Sequence, residues 1–173
     1  MNKIYFLLVV LFLQGSCAES QNELTLARCY FQYEYVNYAW GYQHSGFTVT
    51  PEGEVYTFTR ATPWVFAKDG KLSLTDLKKN IAASVKEDTL ISNSDIQYYL
   101  NLASSASLGK LSQPVTQGAD MGGYGCTLFY PDPNSPEINY LQVILSEKGD
   151  IEQHNLAPEA GVIARWLENL RIH

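Results

Sequence analysis

The sequence predicts an α+β domain, in which an antiparallel sheet of five or six strands, built from hairpins, has its helices packed on one face. Three strand-like runs follow one another in residues 125–154. Another hairpin lies in residues 46–59, and helical patterns occur between these strand groups and near the C-terminus. Because both groups need partners, we expect residues 26–60 and 124–154 to share one sheet. Two separate meanders are the alternative.

The central strand group contains a long hairpin and a short return strand. Residues 126–130 and 139–145 are rich in β-branched and aromatic side chains, which suit a pleated surface. The segment 131–136 between them contains three prolines and cannot continue either strand. Gly149 then permits a turn, after which residues 151–154 return as a third strand.

The N-terminal strand group shows clear alternation. Phe31, Tyr33 and Tyr35 alternate with polar residues, as in a strand with one solvated face. Residues 46–50 and 55–59 are rich in threonine and aromatic residues, and the Pro-Glu-Gly-Glu segment between them matches a tight turn. We therefore expect a strand followed by a hairpin.

Capping patterns predict where the two middle helices begin. Ser73 and Asp76 have the spacing of a capping box, and we expect this helix to include Lys86 in its later part. The second middle helix is predicted to begin at Ser94, which has the same spacing to Gln97.

A third helix is predicted at the C-terminus. Pro158 suits the first turn of a helix. The apolar stripe that should dock on the sheet consists of Ile163, Trp166, Leu167 and Leu170. Before the central strands, residues 110–124 show no periodicity, so we interpret them as a loop that is either functional or packed across the sheet.

The first 18 residues have the organisation of a secretory signal. Lys3 precedes a run of ten apolar residues, 4–13, and small residues follow. Such a run is too short to span a bilayer, which takes roughly 20 residues. We therefore expect export, with residues 1–18 as the signal. The remaining residues, 19–173, form one globular domain, since 46% of the chain is apolar and only 17% is charged.

Two cleavage sites fit this signal. Gly15-Ser16-Cys17 resembles the end of a bacterial lipobox, although Gln14 stands where that pattern prefers leucine. Cleavage before Cys17 would give a cell-envelope lipoprotein anchored through that cysteine. Cleavage after Ala18 would give a free periplasmic or extracellular protein. We expect no membrane contact other than through the possible lipid on Cys17.

Charge and cysteine content limit the partners and the compartment. The formal net charge of −6 becomes −7 when residues 1–16 are removed, and there is no Lys/Arg cluster, so we expect no nucleic-acid partner. Cys29 and Cys126 both lie in predicted strands, and export makes a disulfide between them one interpretation. Two buried thiols that act as small apolar side chains are the other.

No motif identifies a reaction, a metal or a cofactor. The sequence lacks Cys-x-x-Cys and His-Glu-x-x-His, and its histidines do not have metal-ligand spacing, so we expect neither metal nor cofactor. Cys126, His154 and either Asp120 or Asp150 contain the residue types of a thiol hydrolase, which also requires a suitable geometry. A concave pocket that holds His44 or His154 beside a carboxylate would likewise favour an enzyme.

The segment after the first strand, residues 37–44, is rich in aromatic side chains and predicts a recognition surface. We call it the aromatic connection. Rings with polar tips on loops are common in sites that bind sugars, peptides or proteins. The glycine-rich run 118–125 leads into a strand, unlike a phosphate loop, so we interpret it as a tight bend. The predicted binding residues are Tyr38, Trp40, Tyr42, His44, Asp120 and Tyr124. The alternative is that these rings cover the core.

The sequence therefore predicts an exported cell-envelope or secreted protein that binds a protein, peptide or carbohydrate ligand and is not an enzyme. The alternative function is a small cell-envelope hydrolase. Its site would be assembled from His44 or His154 with carboxylates, or would use Cys126 as the nucleophile.

Overall fold

The computed structural model describes residues 28–136 and 138–170. The predicted signal segment 1–18, including Cys17, lies outside the described residues, as does His173. The strands are β1 Tyr30–Asn37, β2 Gln43–Val49, β3 Glu54–Thr59, β4 Lys71–Ser73, β5 Val85–Leu90, β6 Val115–Thr116, β7 Gly123–Pro131, β8 Asn139–Gly149 and β9 Ile151–His154. The helices are α1 Leu74–Ala82, α2 Asn93–Ser107 and α3 Pro158–Asn169.

All described strands form one antiparallel sheet, in the order β5-β3-β2-β1-β7-β8-β9-β6, with β4 added beside β8. The α+β class is confirmed, and β1 joins the two strand groups by pairing with both β2 and β7. The predicted count of five or six strands is wrong, because the described chain has nine. The additional strands β4, β5 and β6 are short or exposed, so they lack the alternation that marks a half-buried strand.

Helices α2 and α3 cover one face of the sheet. Phe31 and Leu128 are paired across β1 and β7, and both are fully buried beneath these helices. Trp166 of α3 stacks on Tyr99 of α2 with ring centroids 3.9 Å apart, and it meets Phe31 edge-on at 5.2 Å. The C-terminal helix therefore docks on the sheet as predicted.

Helix α1 packs on the opposite face, so the prediction that all helices share one face is wrong. Tyr30 and Phe129 point away from Phe31 and Leu128, because successive strand residues alternate between faces. They form a second apolar cluster with Leu77 of α1 and with residues of β4 and β8. This apolar patch explains why α1 covers that face.

The capping box predicted the start of α1 but not its end. Ser73 is the N-cap, and its Oγ accepts a hydrogen bond from the backbone N–H of Asp76 at 3.0 Å. The helix ends at Ala82, so the prediction that Lys86 belongs to it is wrong. Lys86 lies instead in β5, where its ammonium group donates to Glu54 at 2.6 Å.

The other two helices begin at or near their predicted residues. The predicted start of α2 at Ser94 is wrong, because Ser92 is the cap and accepts from the N–H of Asp95 at 3.1 Å. Helix α3 begins at Pro158 as predicted. None of the helices in the described part of the chain is long and apolar enough to cross a membrane.

Candidate functional site

An open cleft with a volume of about 550 Å³ lies at one end of the sheet. Strands β1 and β8 end here and β7 begins here. The lining residues come from the segments 34–39, 120–125 and 147–151. The cleft therefore brings the aromatic connection and the glycine-rich run together.

The floor of the cleft is a row of the sheet in which a glycine separates two glutamates. Glu34 on β1 is paired with Gly125 on β7, and Gly125 is paired with Glu147 on β8. Residues directly opposite each other share a face, so both carboxylates lie on the cleft side. With strands about 4.8 Å apart, the two glutamate Cα atoms are roughly 10 Å apart.

The space above this floor is open because the floor lacks side chains. A Cβ built on Gly125 would have its nearest contact at 3.8 Å, with Cγ of Glu34, and one on Gly123 would come no closer than 4.0 Å to any neighbour. On the other side of Glu34, a Cβ on Gly46 would lie 2.0 Å from the carbonyl oxygen of Tyr33. The row is therefore closed towards β2 and open towards β7.

The carboxylate of Glu34 accepts a hydrogen bond from a buried histidine, His44. Nε2 of His44 lies 2.9 Å from Oε2 of Glu34, and because a carboxylate only accepts, the imidazole donates. The imidazole is fully buried, with centroids of the Phe58 and Trp64 rings each 4.8 Å away. Its Nδ1 has no hydrogen-bond partner within the described segments. His44 thus makes its single side-chain hydrogen bond with a cleft residue.

The remaining polar groups give the cleft a negative charge. Gln153 donates through Nε2 to Oε2 of Glu147, and Oδ1 of Asp150 accepts from the backbone N–H of Met121 at 2.8 Å. Asp120 is a fourth lining carboxylate. Lys148 also lines the cleft, but its ammonium group donates to Glu168 of α3 at 2.6 Å.

The aromatic connection stands at the rim of the cleft. Tyr38 lines the cleft and is 68% exposed. It stacks on Tyr42 with centroids 5.5 Å apart, and Tyr42 in turn lies 6.0 Å from the His44 ring. Trp40 is 78% exposed and does not line the cleft. The exposure of Tyr38 and Trp40 argues against the alternative that these two rings cover the core.

Three of the six residues predicted for binding line the cleft, namely Tyr38, Asp120 and Tyr124. Tyr42 and His44 do not line it, and His44 belongs to β2 rather than to a loop. Sequence reasoning missed Glu34, Glu147 and Gly125. A glycine inside a strand was the available signal, since it often marks a site of close approach, but its row partners require the strand register.

The structure does not bring together the residues of the alternative function, a thiol hydrolase. Ser146 is paired with both Cys126 and His154, so the thiol and the imidazole are two strands apart, roughly 10 Å between Cα atoms. Burial raises the pKa of the Cys126 thiol to about 11, which keeps it in the unreactive thiol form near neutral pH. Asp120 and Asp150 line the cleft, whereas Cys126 packs in the core beneath α2 and α3.

Nor does the register bring Cys29 and Cys126 together. Both are buried and free in the structure. Cys126 is paired with Tyr33, four residues along the chain from Cys29, which corresponds to about 13 Å along a strand. A disulfide requires Cα atoms within about 7 Å. In this fold the two cysteines act as small apolar side chains of the core.

No group of three or more histidine, cysteine or carboxylate side chains that could hold a metal ion occurs in residues 28–136 and 138–170. Comparison with protein-family models, with curated proteins and with solved structures finds no match. The chemistry of the cleft is therefore the basis on which a function can be inferred.

Proposed function

We propose that this is an exported binding protein. Its ligand binds in the cleft between Tyr38 and the part of the floor formed by Gly123 and Gly125, which we call the glycine floor. The observation that supports this most directly is the open space above Gly123 and Gly125. Its volume of about 550 Å³ falls within the range of small-molecule sites, about 300 to 1,000 Å³. The side chain of a peptide or one sugar unit would also fit this space.

The residues around the cleft combine the features of a recognition site. The exposed ring of Tyr38 offers an apolar face with a polar tip, which suits stacking against a ligand. Glu34 and Glu147 supply polar groups that are already oriented by His44 and Gln153. Groups held in place before binding lose less conformational entropy when the ligand arrives.

Amide chemical-shift mapping tests this proposal. We would screen the uniformly ¹⁵N-labelled domain against neutral, cationic and anionic fragments and against mono- and disaccharides. Gly125→Leu fills the cleft, and Gly161→Leu on α3 adds the same side chain outside it. Tyr38→Ala removes an exposed ring and serves as a second variant in case Gly125→Leu does not fold.

Fragments that bind should shift the amide signals of Gly122, Gly123 and Gly125. The shifts should disappear in Gly125→Leu, weaken in Tyr38→Ala and persist in Gly161→Leu. Hits that map elsewhere, or that survive filling of the cleft, would refute the proposal. A screen without any hit would do so as well.

The proposal includes export through residues 1–18, and the cleavage site decides where the protein acts. An intact mass from the native host separates the two outcomes. A chain that begins at Cys17 with a diacylglycerol-sized addition would be an anchored envelope lipoprotein. A lipid-free chain that begins at Glu19 would be a periplasmic or extracellular protein. A chain that retains Met1 would refute export.

A hydrolase is the second candidate, and one observation favours it. Glu34 and Glu147 lie on the same face of the sheet on either side of Gly125, and the buried imidazole of His44 donates a hydrogen bond to Glu34. Paired carboxylates of this kind serve as general acid and base in glycoside hydrolysis. Turnover of chromogenic glycosides that is abolished by both Glu34→Gln and Glu147→Gln would support the enzyme. Activity that survives both changes, or no turnover at all, would exclude this site.

A further inference from the structure

We infer that the cleft selects an organic cation, a primary ammonium or guanidinium group joined to a small apolar or aromatic body. This inference rests on the proposed function and specifies its ligand class. Among the described residues, four that line the cleft carry carboxylates, whereas the single lining lysine, Lys148, directs its charge to Glu168. A ligand in the cleft is therefore surrounded mainly by negatively charged groups.

The two floor carboxylates are arranged to receive hydrogen bonds from a ligand. His44 occupies Oε2 of Glu34, and Gln153 occupies Oε2 of Glu147. The Oε1 atom of each glutamate accepts no hydrogen bond from the rest of the described chain. Ionised carboxylates only accept, so the complementary group is a donor, and a cationic donor forms the strongest bonds.

The environment of His44 is a second indication that the side chain of Glu34 is oriented for binding. Its ring is fully buried among aromatic side chains, and one nitrogen lacks a partner in the described part of the chain. A phenylalanine would fill this environment without burying an unpaired polar atom, which is costly. The other nitrogen is aimed at the cleft carboxylate, 2.9 Å away. His44 is therefore a positioning residue, which orients the ligand-binding oxygen of Glu34.

The apolar part of the ligand would contact aromatic and aliphatic side chains at the rim of the cleft. The face of Tyr38 is exposed beside the carboxylates, and aromatic faces attract cations as well as apolar groups. Val36 and Ile151 add aliphatic surface to the same cleft. A ligand with a charged head and a short apolar body would therefore contact both kinds of surface.

Three ligands that share one body and differ in the head group test this inference. Phenethylamine, 2-phenylethanol and phenylacetate present a cation, a neutral hydroxyl and an anion. Affinities would be measured by amide shift titration of the wild-type domain and of Glu34→Gln, Glu147→Gln and His44→Phe. Asp88→Asn on the exposed strand β5 is the matched control, since it makes the same charge change far from the cleft.

Phenethylamine should bind about tenfold or more tightly than 2-phenylethanol, and phenylacetate should not bind. Glu34→Gln and Glu147→Gln should each weaken the amine about tenfold without affecting the alcohol, and Asp88→Asn should change neither. His44→Phe should weaken the amine while leaving the fold intact.

Equal affinity for amine and alcohol, or amine binding that survives both glutamine variants, would overturn the cation inference and leave the proposed function in place. No binding of any of the three ligands would also overturn it, and the broader fragment screen would then decide the proposed function alone. Nα-acetyl-lysine methylamide distinguishes the sources: tighter binding than phenethylamine indicates a basic side chain of a peptide, and weaker binding indicates a free amine.

Discussion

The two glycines that flank Glu34 should respond in opposite ways to the same substitution. Gly46→Ala would place a Cβ 2.0 Å from the Tyr33 carbonyl oxygen and 2.8 Å from Cα of Glu34. Both atoms are backbone, so β1 and β2 would have to separate by about 1.4 Å to restore an ordinary contact. Overpacking of this kind costs about 1 to 3 kcal/mol, and we expect the upper end because a central strand pair must move.

Gly125→Ala should instead be tolerated. Its Cβ would meet only the Cγ of Glu34, at an ordinary contact distance of 3.8 Å. Replacing glycine by alanine restricts the unfolded chain, which raises the free energy of unfolding by about 0.4 to 1 kcal/mol. The two variants should therefore differ in their free energy of unfolding by about 3.4 to 4 kcal/mol.

Equilibrium urea unfolding, followed by tyrosine and tryptophan fluorescence, measures this difference. The denaturant slope should stay unchanged, so that the midpoints report stability directly. A Gly125→Ala variant as unstable as Gly46→Ala would mean that the space above Gly125 is filled and that the cleft does not exist. A Gly46→Ala variant without a cost would refute the close approach of β1 and β2.

Further outcomes are expected for a buried amide, an ion pair and the two buried thiols. Asn155→Ala should lower the free energy of unfolding by about 2 to 3 kcal/mol, because this buried side chain forms hydrogen bonds with backbone groups of Ala106, Ile144 and Ala157. Asn169→Ala, at an exposed position, is the control. Equal urea midpoints for the two variants would contradict the prediction. The Lys71 ammonium lowers the pKa of Asp132. The contribution of this ion pair to the stability of the fold should therefore be present above about pH 4 and be lost as the pH falls. Lys71→Met should flatten this acid limb of the stability curve, whereas Lys110→Met should leave it unchanged. Burial raises the pKa of Cys29 to about 12 and that of Cys126 to about 11, so stability should decline as the pH rises above about 9. Both thiols should be alkylated in the denatured, unreduced protein and resist alkylation in the native one, and protection without reduction in the denatured state would establish a disulfide.

Much of the fold follows from local patterns in the sequence. The alternation of Phe31, Tyr33 and Tyr35 predicts β1, and Ser73 and Pro158 predict the starts of α1 and α3, because each signal depends on residues close in the chain. Strand β5 escaped prediction, since an edge strand exposed on both sides carries charged residues and shows no alternation. The position of α1 depends on an apolar patch from four separate strands, which no local window contains.

The candidate site depends on register, and the sequence does not encode register locally. An irregularity between Cys126 and Thr127 shifts the pairing of β7 and β8 by one residue. Without this shift Gly125 would lie opposite Ser146, and the side chain of Glu147 would point to the other face. Aromatic composition was sufficient to indicate Tyr38, but the pairing of Glu34 with Glu147 across a glycine requires three strands to be aligned.

Binding of a ligand above the glycine floor can be tested by intermolecular nuclear Overhauser effects. They would be recorded between the tightest fragment of the screen and the labelled domain. The structure predicts contacts from the ligand to the Hα protons of Gly123 and Gly125 and to the ring of Tyr38. Contacts instead to Leu108, Leu111 and Leu156, exposed apolar residues that do not line the cleft, would contradict the claim.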